Sequence, residues 1–336
     1  MSTPILVVTL NPALDVTHEL ARVDWAGVNR PDVVRSRPGG KGLNVARTLH
    51  ALGAGPLVLG LAGGRTGTAV GAKAATAGLR TDFTKITDET RRTFAVVDRE
   101  RGHTALFNEP GPQVSAAEYA SFLARYQAAL PASAAVVLTG SLPRGLAADC
   151  YAELAGYATA ADVPVLLDAE GQPLLDGLVA RPAIVKPNLA ELSGAVGRPL
   201  TADSETGRSE IVAAASELRE TGNQAGAQAD NRAGHQAGVQ AVVVSLGEHG
   251  LIAVTGQGAW RAWPRAVARG NPTGAGDAVV AGLALGLAEG RPWPDRLRQA
   301  AALGAATAAA PVAGEFNPGR YEQALAEIEV DQLEVR

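Results

Sequence analysis

The run NPTGAGDAVVAGLALGL at residues 271–287 sets Gly274, Ala275 and Gly276 directly before an acid, Asp277, and then continues in small apolar residues at helical spacing. Glycines that open a helix leave backbone N–H groups unpaired, and with the positive end of the helix dipole these groups form a site for an anion. A carboxylate at such a junction is either a helix cap, for which aspartate is among the best residues, or a reagent working beside a bound anion. A second constellation, RPGGKGLNVARTLHALG at residues 37–53, places Gly39, Gly40, Lys41, Gly42 and Asn44 at the start of another helical pattern. The glycines admit a ligand close to the backbone, Lys41 brings charge, and Asn44 can both donate and accept. The plainer alternative is a turn with a solvated lysine. Lys41 is followed by Gly42 where a Walker A loop needs Gly-Lys-Ser/Thr. The third glycine of a dinucleotide fingerprint would fall on Val279, which argues against that motif too. TGSLPRG (139–145), VKPNLAEL (185–192) and VVVSLGEHGLIAV (242–254) complete the set. Singly they read as a tight turn, a helix start at Pro187 and Asn188, and a β-turn with Gly247 and Gly250.

The elements that must position these residues follow from composition and pattern. A chain of 336 residues, 46% hydrophobic and 4% aromatic, is globular and long enough for one large α/β domain or two smaller ones. The formal net charge is −4 and no run of lysine or arginine forms a stripe, so nucleic acid is not expected as a partner and any phosphate recognition is local. Cys150 is the single cysteine, which excludes an internal disulfide and a multi-cysteine metal site and suits a reducing compartment. No basic segment precedes the first apolar run, and no lipid-grade stretch of about 20 residues follows. The expected setting is therefore cytoplasmic, with no membrane.

Short apolar runs at residues 5–10, 57–61, 135–139, 165–168, 183–186 and 242–246 alternate with helical patterns such as LNVARTLHALG and AAEYASFLARYQAAL. That alternation predicts an α/β fold, a mostly parallel central sheet flanked by helices, with ligands at the carboxyl ends of the strands. The stretch 93–98 returning as 103–108 around RERG breaks the rhythm and predicts an antiparallel hairpin. With residues 16–20 and 32–36 it could form a small sheet, either a lid that excludes water or an insertion that covers an edge. Residues 221–240, rich in Gly, Ala and Gln, read as a low-complexity surface loop, and His235 within it has no second ligand at metal-binding spacing.

TLNPALD, GGKGLNVAR, GSLPRG, KPNLAEL, VVVSLG and NPTGAGDA, in this order and spacing, resemble the motifs of the ribokinase-like (phosphofructokinase B) family of sugar kinases, from about Ile5 to the end of the chain. TLNPALD and GGKGLN are similar to the openings of the branch containing 1-phosphofructokinase and tagatose-6-phosphate kinase. GNPTGAGDAVVAGL and YEQALAEIEVDQL look closest to the tagatose-6-phosphate kinases. The resemblance implies one kinase domain over residues 1–336, with a small β-sheet lid built from segments at about 12–36 and 91–110. It also implies ATP and Mg²⁺ as cofactors.

Carried over residue by residue, Asp277 is the expected catalytic base, and the N–H groups of Gly274, Ala275 and Gly276 the anion hole for the migrating phosphoryl. Asp15 is the expected acid that grips sugar hydroxyls, with Gly39, Gly40 and Asn44 lining the same cleft. Lys41, Arg30 and Arg91 are expected to meet a phosphate already on the sugar, with Arg92 a less certain neighbour. Lys186, Asn188 and Glu191 should stand near the nucleotide phosphates, Glu191 at the metal, and Ser245, Gly247 and Gly250 in the nucleotide pocket. Ala278 stands where 1-phosphofructokinases have serine, and Ala169 and Glu170 where the branch has small polar residues. A carboxylate at Glu170 would repel phosphate unless it points away or helps a cation.

The expected reaction is transfer of the γ-phosphoryl of ATP to a free primary hydroxyl of tagatose 6-phosphate, fructose 6-phosphate or fructose 1-phosphate, giving a 1,6-bisphosphate. Two alternatives stay open. A kinase of an unphosphorylated sugar or nucleoside would leave Lys41, Arg30 and Arg91 without a dianion, and a non-catalytic sugar-phosphate sensor would not need Asp277 and its glycines. The expected partners are the small sugar phosphate and ATP, and the sequence leaves room for a homodimer.

Overall fold

A strand with no polar residue on either face must be covered on both, and the apolar runs of this chain satisfy that demand by pairing side by side under helices. The computed structural model describes residues 3–229, 238–266, 270–310 and 317–333. In chain order its strands are β1 (Ile5–Thr9), β2 (Ala13–Leu20), β3 (Val33–Gly39), β4 (Leu57–Gly63), β5 (Arg80–Ile86), β6 (Arg91–Asp98), β7 (His103–Asn108), β8 (Ala135–Thr139), β9 (Val165–Asp168), β10 (Ile184–Val185), β11 (Ala241–Ser245), β12 (Leu251–Thr255), β13 (Gly258–Pro264) and β14 (Ile328–Leu333). The helices are α1 (Lys41–Ala51), α2 (Gly64–Thr76), α3 (Ala116–Ala129), α4 (Cys150–Ala160), α5 (Gln172–Gly177), α6 (Leu189–Val196), α7 (Glu205–Ala229), α8 (Ala275–Ala288), α9 (Trp293–Ala308) and α10 (Pro318–Glu327).

The main sheet has the order β14-β13-β12-β11-β10-β9-β8-β1-β4-β5. Every neighbouring pair from β11 to β5 is parallel, while β12, β13 and β14 close one edge in antiparallel register. Because side chains alternate across a strand, Leu6 and Val8 enter one core and Ile5 and Val7 the other, and helices cover both. The α/β fold with a mostly parallel sheet is as expected.

A second sheet, ordered β3-β2-β6-β7, stands apart from the first. The hairpin read from the sequence is β6–β7, paired antiparallel from Thr93–Asn108 to Asp98–His103, and β2 pairs parallel with β6 and antiparallel with β3.

One expectation is corrected. The low-complexity stretch does not begin as a loop: α7 continues through Thr221 to Ala229, and Thr221 Oγ1 donates to the Glu217 carbonyl as the helix passes. Alanine and glutamine are good helix formers, and Gly222 lets the helix lie close, since a Cβ there would stand 2.8 Å from Val239 and 3.2 Å from Leu178. His235 lies outside the described residues.

What positions the chemistry is α8, apolar on nearly every side and buried against the sheet and α9. Small residues let the two helices approach: a Cβ on Gly282 would come within 2.7 Å of the Ala300 Cα, and one on Gly304 within 2.8 Å of Val279. The start of α8 is thereby fixed beside the start of α1 and the carboxyl ends of the parallel strands.

Candidate active site

Asp277 is not the cap of α8. Gly274 occupies that position with φ 87°, a left-handed conformation that glycine adopts without strain, and no side chain caps the helix. Asp277 instead turns inward, 8% exposed, and its Oδ2 accepts a 2.7 Å hydrogen bond from Asn44 Nδ2 on α1. The amide of Ala275 is engaged by the Pro272 carbonyl at 3.1 Å. Among the described residues no partner takes the N–H groups of Gly276 or Asp277, and a Cβ on Gly276 would meet open space. The helix start therefore keeps free donors in the open, while the Ala275 amide, one of the three expected at an anion hole, is already engaged.

Behind Asp277 lies a charged cluster that sequence reasoning did not assemble. Asp168, the last residue of β9, is 2% exposed; its Oδ1 lies 2.9 Å from Lys186 Nζ and its Oδ2 3.6 Å from Lys41 Nζ. Thr139, at the end of β8, donates to the same Oδ2 at 2.7 Å. Burial pushes the Asp168 carboxyl up, but the two ammonium groups and these hydrogen bonds outweigh it and hold the acid below its ordinary value. Asp277 has the opposite balance. Burial, then the negative charge of Asp168, raise it to about 6 against the pull of Asn44, Lys41 and Lys186. For Lys41 burial works against the charged form, yet Asp168, Glu191, Asp277 and Glu170 together keep it above its ordinary value. The only sequence signal for Asp168 was an acid ending an apolar strand run, the place where ligands of parallel sheets are met.

The sugar-side residues meet at the root of the small sheet. Asp15 on β2 faces Arg37 on β3 at 3.8 Å, and burial raises its carboxyl despite the opposing charges of Arg37, Arg47 and Arg91 and a bond from Thr93. Arg91 donates to the Asn11 carbonyl at 3.3 Å. Gly39 is glycine because a Cβ there would stand 2.1 Å from the Asp15 carboxyl, and Gly40, at φ 97°, turns the chain into α1. Two expected cations are elsewhere. Arg30 is exposed in the β2–β3 connection, beyond the Glu19–Val33 pair and at the far end of the ribbon from the Asp15–Arg37 pair. Arg92 points to the other face of β6, where Glu109 holds its guanidinium at 2.7 Å. A strand's alternation separates Arg91 from Arg92, and the length of the ribbon, which composition does not encode, separates Arg30.

On the other flank, Asn188 and Glu191 form a reciprocal capping box at the start of α6: Asn188 N–H donates to Glu191 Oε2 and Glu191 N–H to Asn188 Oδ1, both at 2.8 Å. The second Glu191 oxygen takes no part in it. A cleft of about 520 Å³ opens here, lined by Glu170, Leu174, Asn188 and Glu191 among others, so Glu170 faces the site. Among the described residues no three acids, histidines or cysteines stand close enough to hold a metal ion by themselves. Ser245 pairs with Asn188 across the strand ends. Gly247, at φ 59°, faces open space and leaves room for a ligand. Gly250 is glycine for a structural reason, since a Cβ would stand 2.0 Å from the Ala262 carbonyl oxygen on β13.

This geometry has relatives. A family model described as pfkB family carbohydrate kinase matches residues 9–319. The tetrameric inhibited form of phosphofructokinase-2 from Escherichia coli superposes with a TM-score of 0.84 at 26% identity, covering 96% of this chain and 98% of that one. The same Escherichia coli enzyme in complex with substrates and products gives 0.84 at 26% identity over the same shares. Ribokinase of Arabidopsis thaliana, complexed with ribose and ATP, shares the fold with a TM-score of 0.72 at 20% identity, covering 97% of this chain and 99% of that one.

Proposed function

The chain belongs to the pfkB family of carbohydrate kinases, and from that premise we propose that it phosphorylates a ketohexose phosphate on its free primary hydroxyl, with ATP as donor and a 1,6-bisphosphate as product. Tagatose 6-phosphate, fructose 6-phosphate and fructose 1-phosphate are the candidate acceptors. The observation that carries the reading is the buried Asp277 at the open start of α8, with an acid dissociation near neutrality at about 6. A base must be ionised yet willing to take a proton, and a value near the working pH meets both demands. Asp277 takes the acceptor's proton as that oxygen bonds to the γ-phosphorus and the bond to ADP breaks. The N–H groups of Gly276 and Asp277, with Lys41 and Lys186, meet the charge on the phosphoryl oxygens, the electrostatic and positional work that phosphoryl transfer asks of a protein.

The donor set suits Mg²⁺ carried in with the nucleotide. This ion keeps water and phosphate ligands and asks for only one or two carboxylates, which Glu191, through its oxygen outside the capping box, and Glu170 would supply. Held there, the ion would neutralise charge on the transferring phosphates. The cations around Asp15, Arg91 foremost, favour an acceptor that already carries a phosphate. The small sheet acts as a lid over this acceptor, and its exposed Val34, Leu106 and Phe107 suit burial against a second copy in a homodimer.

The test is kcat/KM for tagatose 6-phosphate, fructose 6-phosphate, fructose 1-phosphate, fructose and ribose, with Asp277→Asn alongside. A phosphorylated ketohexose should lead, and the substitution should lower kcat by roughly 10² to 10⁴ with ATP affinity little changed. Free fructose or ribose as the best substrate would transfer the reading to a kinase of unphosphorylated sugars, and near-normal turnover by Asp277→Asn would remove the base.

A further inference from the structure

Arg47, one of the cations near Asp15, also stands at the junction of α1 with Asp277. It lies one helical turn after Asn44 on α1, and its Nη2 donates to Asn44 Oδ1, while Asn44 Nδ2 donates to Asp277 Oδ2 at 2.7 Å. A guanidinium carries donors only. The end of the Asn44 amide that faces Arg47 must therefore be the oxygen, and the NH₂ end is left for the carboxylate. We propose that Arg47 is a positioning residue for phosphoryl transfer: it locks the Asn44 amide in the one of its two orientations that presents an N–H, and not a carbonyl oxygen, to Asp277.

The surroundings explain why a lock is needed. With Arg47 absent, the amide can rotate by half a turn and set an acceptor against a carboxylate, which favours the protonated acid and turns the base off. Arg47 itself is held at a cost. Its Nε is buried without a hydrogen-bond partner among the described residues, and burial, then the nearby Arg37, push the guanidinium down to about 10, with Asp15 and Asp277 opposing. It stays charged, and so donor-only, at neutral pH. The groups that face Asp277 from the elements around it are Asp168 on β9, Lys41, Asn44 and Arg47 on α1, and Lys186 after β10. Only Asn44 among them can reverse its polarity by rotating. Asn44 also becomes a directed donor toward the sugar, since its oxygen serves Arg47, a narrower role than the donor and acceptor read from the sequence.

The catalytic consequence rests on Asp277 being the base, but the hydrogen-bond chain does not, and the experiment separates them. In the full-length chain, the Asp277 carboxyl is titrated by carbon NMR, assigned with Asp277→Asn, in Arg47→Met, Arg47→Gln, Asn44→Ala and the Asn44→Ala/Arg47→Met double variant. Arg47→Met should raise the Asp277 midpoint by about one pH unit, and its kcat loss should be several-fold larger at about pH 6 than at about pH 8, with KM for ATP within about twofold. Arg47→Gln, whose own amide can turn an acceptor toward Asn44 and so releases the lock, should shift the midpoint in the same direction. In the absence of Asn44 the same Arg47→Met change should have little further effect. An equal shift with and without Asn44 would mean that Arg47 acts only as a charge and would overturn the proposal, as would an unshifted midpoint in both Arg47→Met and Arg47→Gln. If Arg47→Met loses cooperative unfolding, Arg47→Gln takes its place in the comparison with and without Asn44. Active Asp277→Asn with the midpoint shifts intact would sink the base reading and leave the positioning role standing.

Discussion

Asp277→Asn has a consequence for stability opposite in sign to its consequence for activity. Asparagine keeps the acceptor that Asn44 needs and removes the charge. In the folded chain the Asp277 carboxyl titrates at about 6 in place of 3.8, raised by burial and by Asp168. The difference of about 2 pH units, at about 1.36 kcal/mol each, makes the ionised form about 3 kcal/mol less favourable in the folded chain than in the unfolded one. The residue is 8% exposed, so solvent screens little of this. The folded state holds the proton more tightly, so this contribution is complete below about pH 4 and is lost as pH rises through about 6. The asparagine variant has no such loss. Urea unfolding of both proteins at about pH 4.5 and about pH 7.5 should therefore show the variant gaining on wild type by about 2 kcal/mol between the two. Other titrating groups are common to both proteins and cancel in the difference. A difference that stays flat with pH, or that moves against the variant, would refute the claim that the fold holds Asp277 at a cost for the sake of its chemistry.

The same value sets the acid limb of kcat, which should fall about tenfold per pH unit below about pH 6 and lose that limb in Asp277→Asn. Asp168→Asn would leave the nearly enclosed Lys186 ammonium without its 2.9 Å partner, and should cost about 3 to 5 kcal/mol in denaturant unfolding; a loss below about 1 kcal/mol would show that water replaces the carboxylate. Arg91→Ala should lower kcat/KM for the preferred sugar phosphate about tenfold or more while Arg92→Ala, whose guanidinium serves Glu109, leaves it nearly unchanged; equal losses would erase the distinction between the two faces of β6. Amide exchange over β6 and β7 should slow on adding sugar phosphate with a non-hydrolysable ATP analogue, and unchanged exchange at saturation would count against a lid.

The parallel core was legible because its strands are unbroken apolar runs ending in polar turns, as Ala135–Thr139 and Val165–Asp168 do. The hairpin was legible because RERG interrupts two alternating segments. β13 and β14 were not, since GAWRAWP and IEVDQL mix large apolar and charged residues on an edge that is only partly covered. Residues 221–229 were misread because glycine and polarity suggest a loop, whereas Ala and Gln extend a helix whose buried face lies upstream at Ile211, Ala214, Ala215 and Leu218.

The site divides along the same physical line. Glycines announced themselves wherever the backbone needed space, at Gly39 under Asp15 and at Gly274 before α8. Pairings across elements did not, because nothing local to VLLD says that Asp168 will bridge Lys41 from α1 and Lys186 from β10. The two glycine-rich helix starts are joined instead by the Asn44–Asp277 hydrogen bond. GGKG and GAGD lie more than two hundred residues apart in sequence, and each starts a helix without a side-chain cap, so two positive helix ends come together where Asn44 meets Asp277. Two such ends and two lysines would repel one another if left alone. Asp168, buried between the lysines, and Asp277, tied by Asn44 to α1, supply the opposing charge. Of these two acids only Asp277 is left partly uncompensated, because burial first and then the charge of Asp168 raise its carboxyl against the pull of Asn44 and the lysines, and that imbalance is what suits it to the proton-accepting role we propose for it.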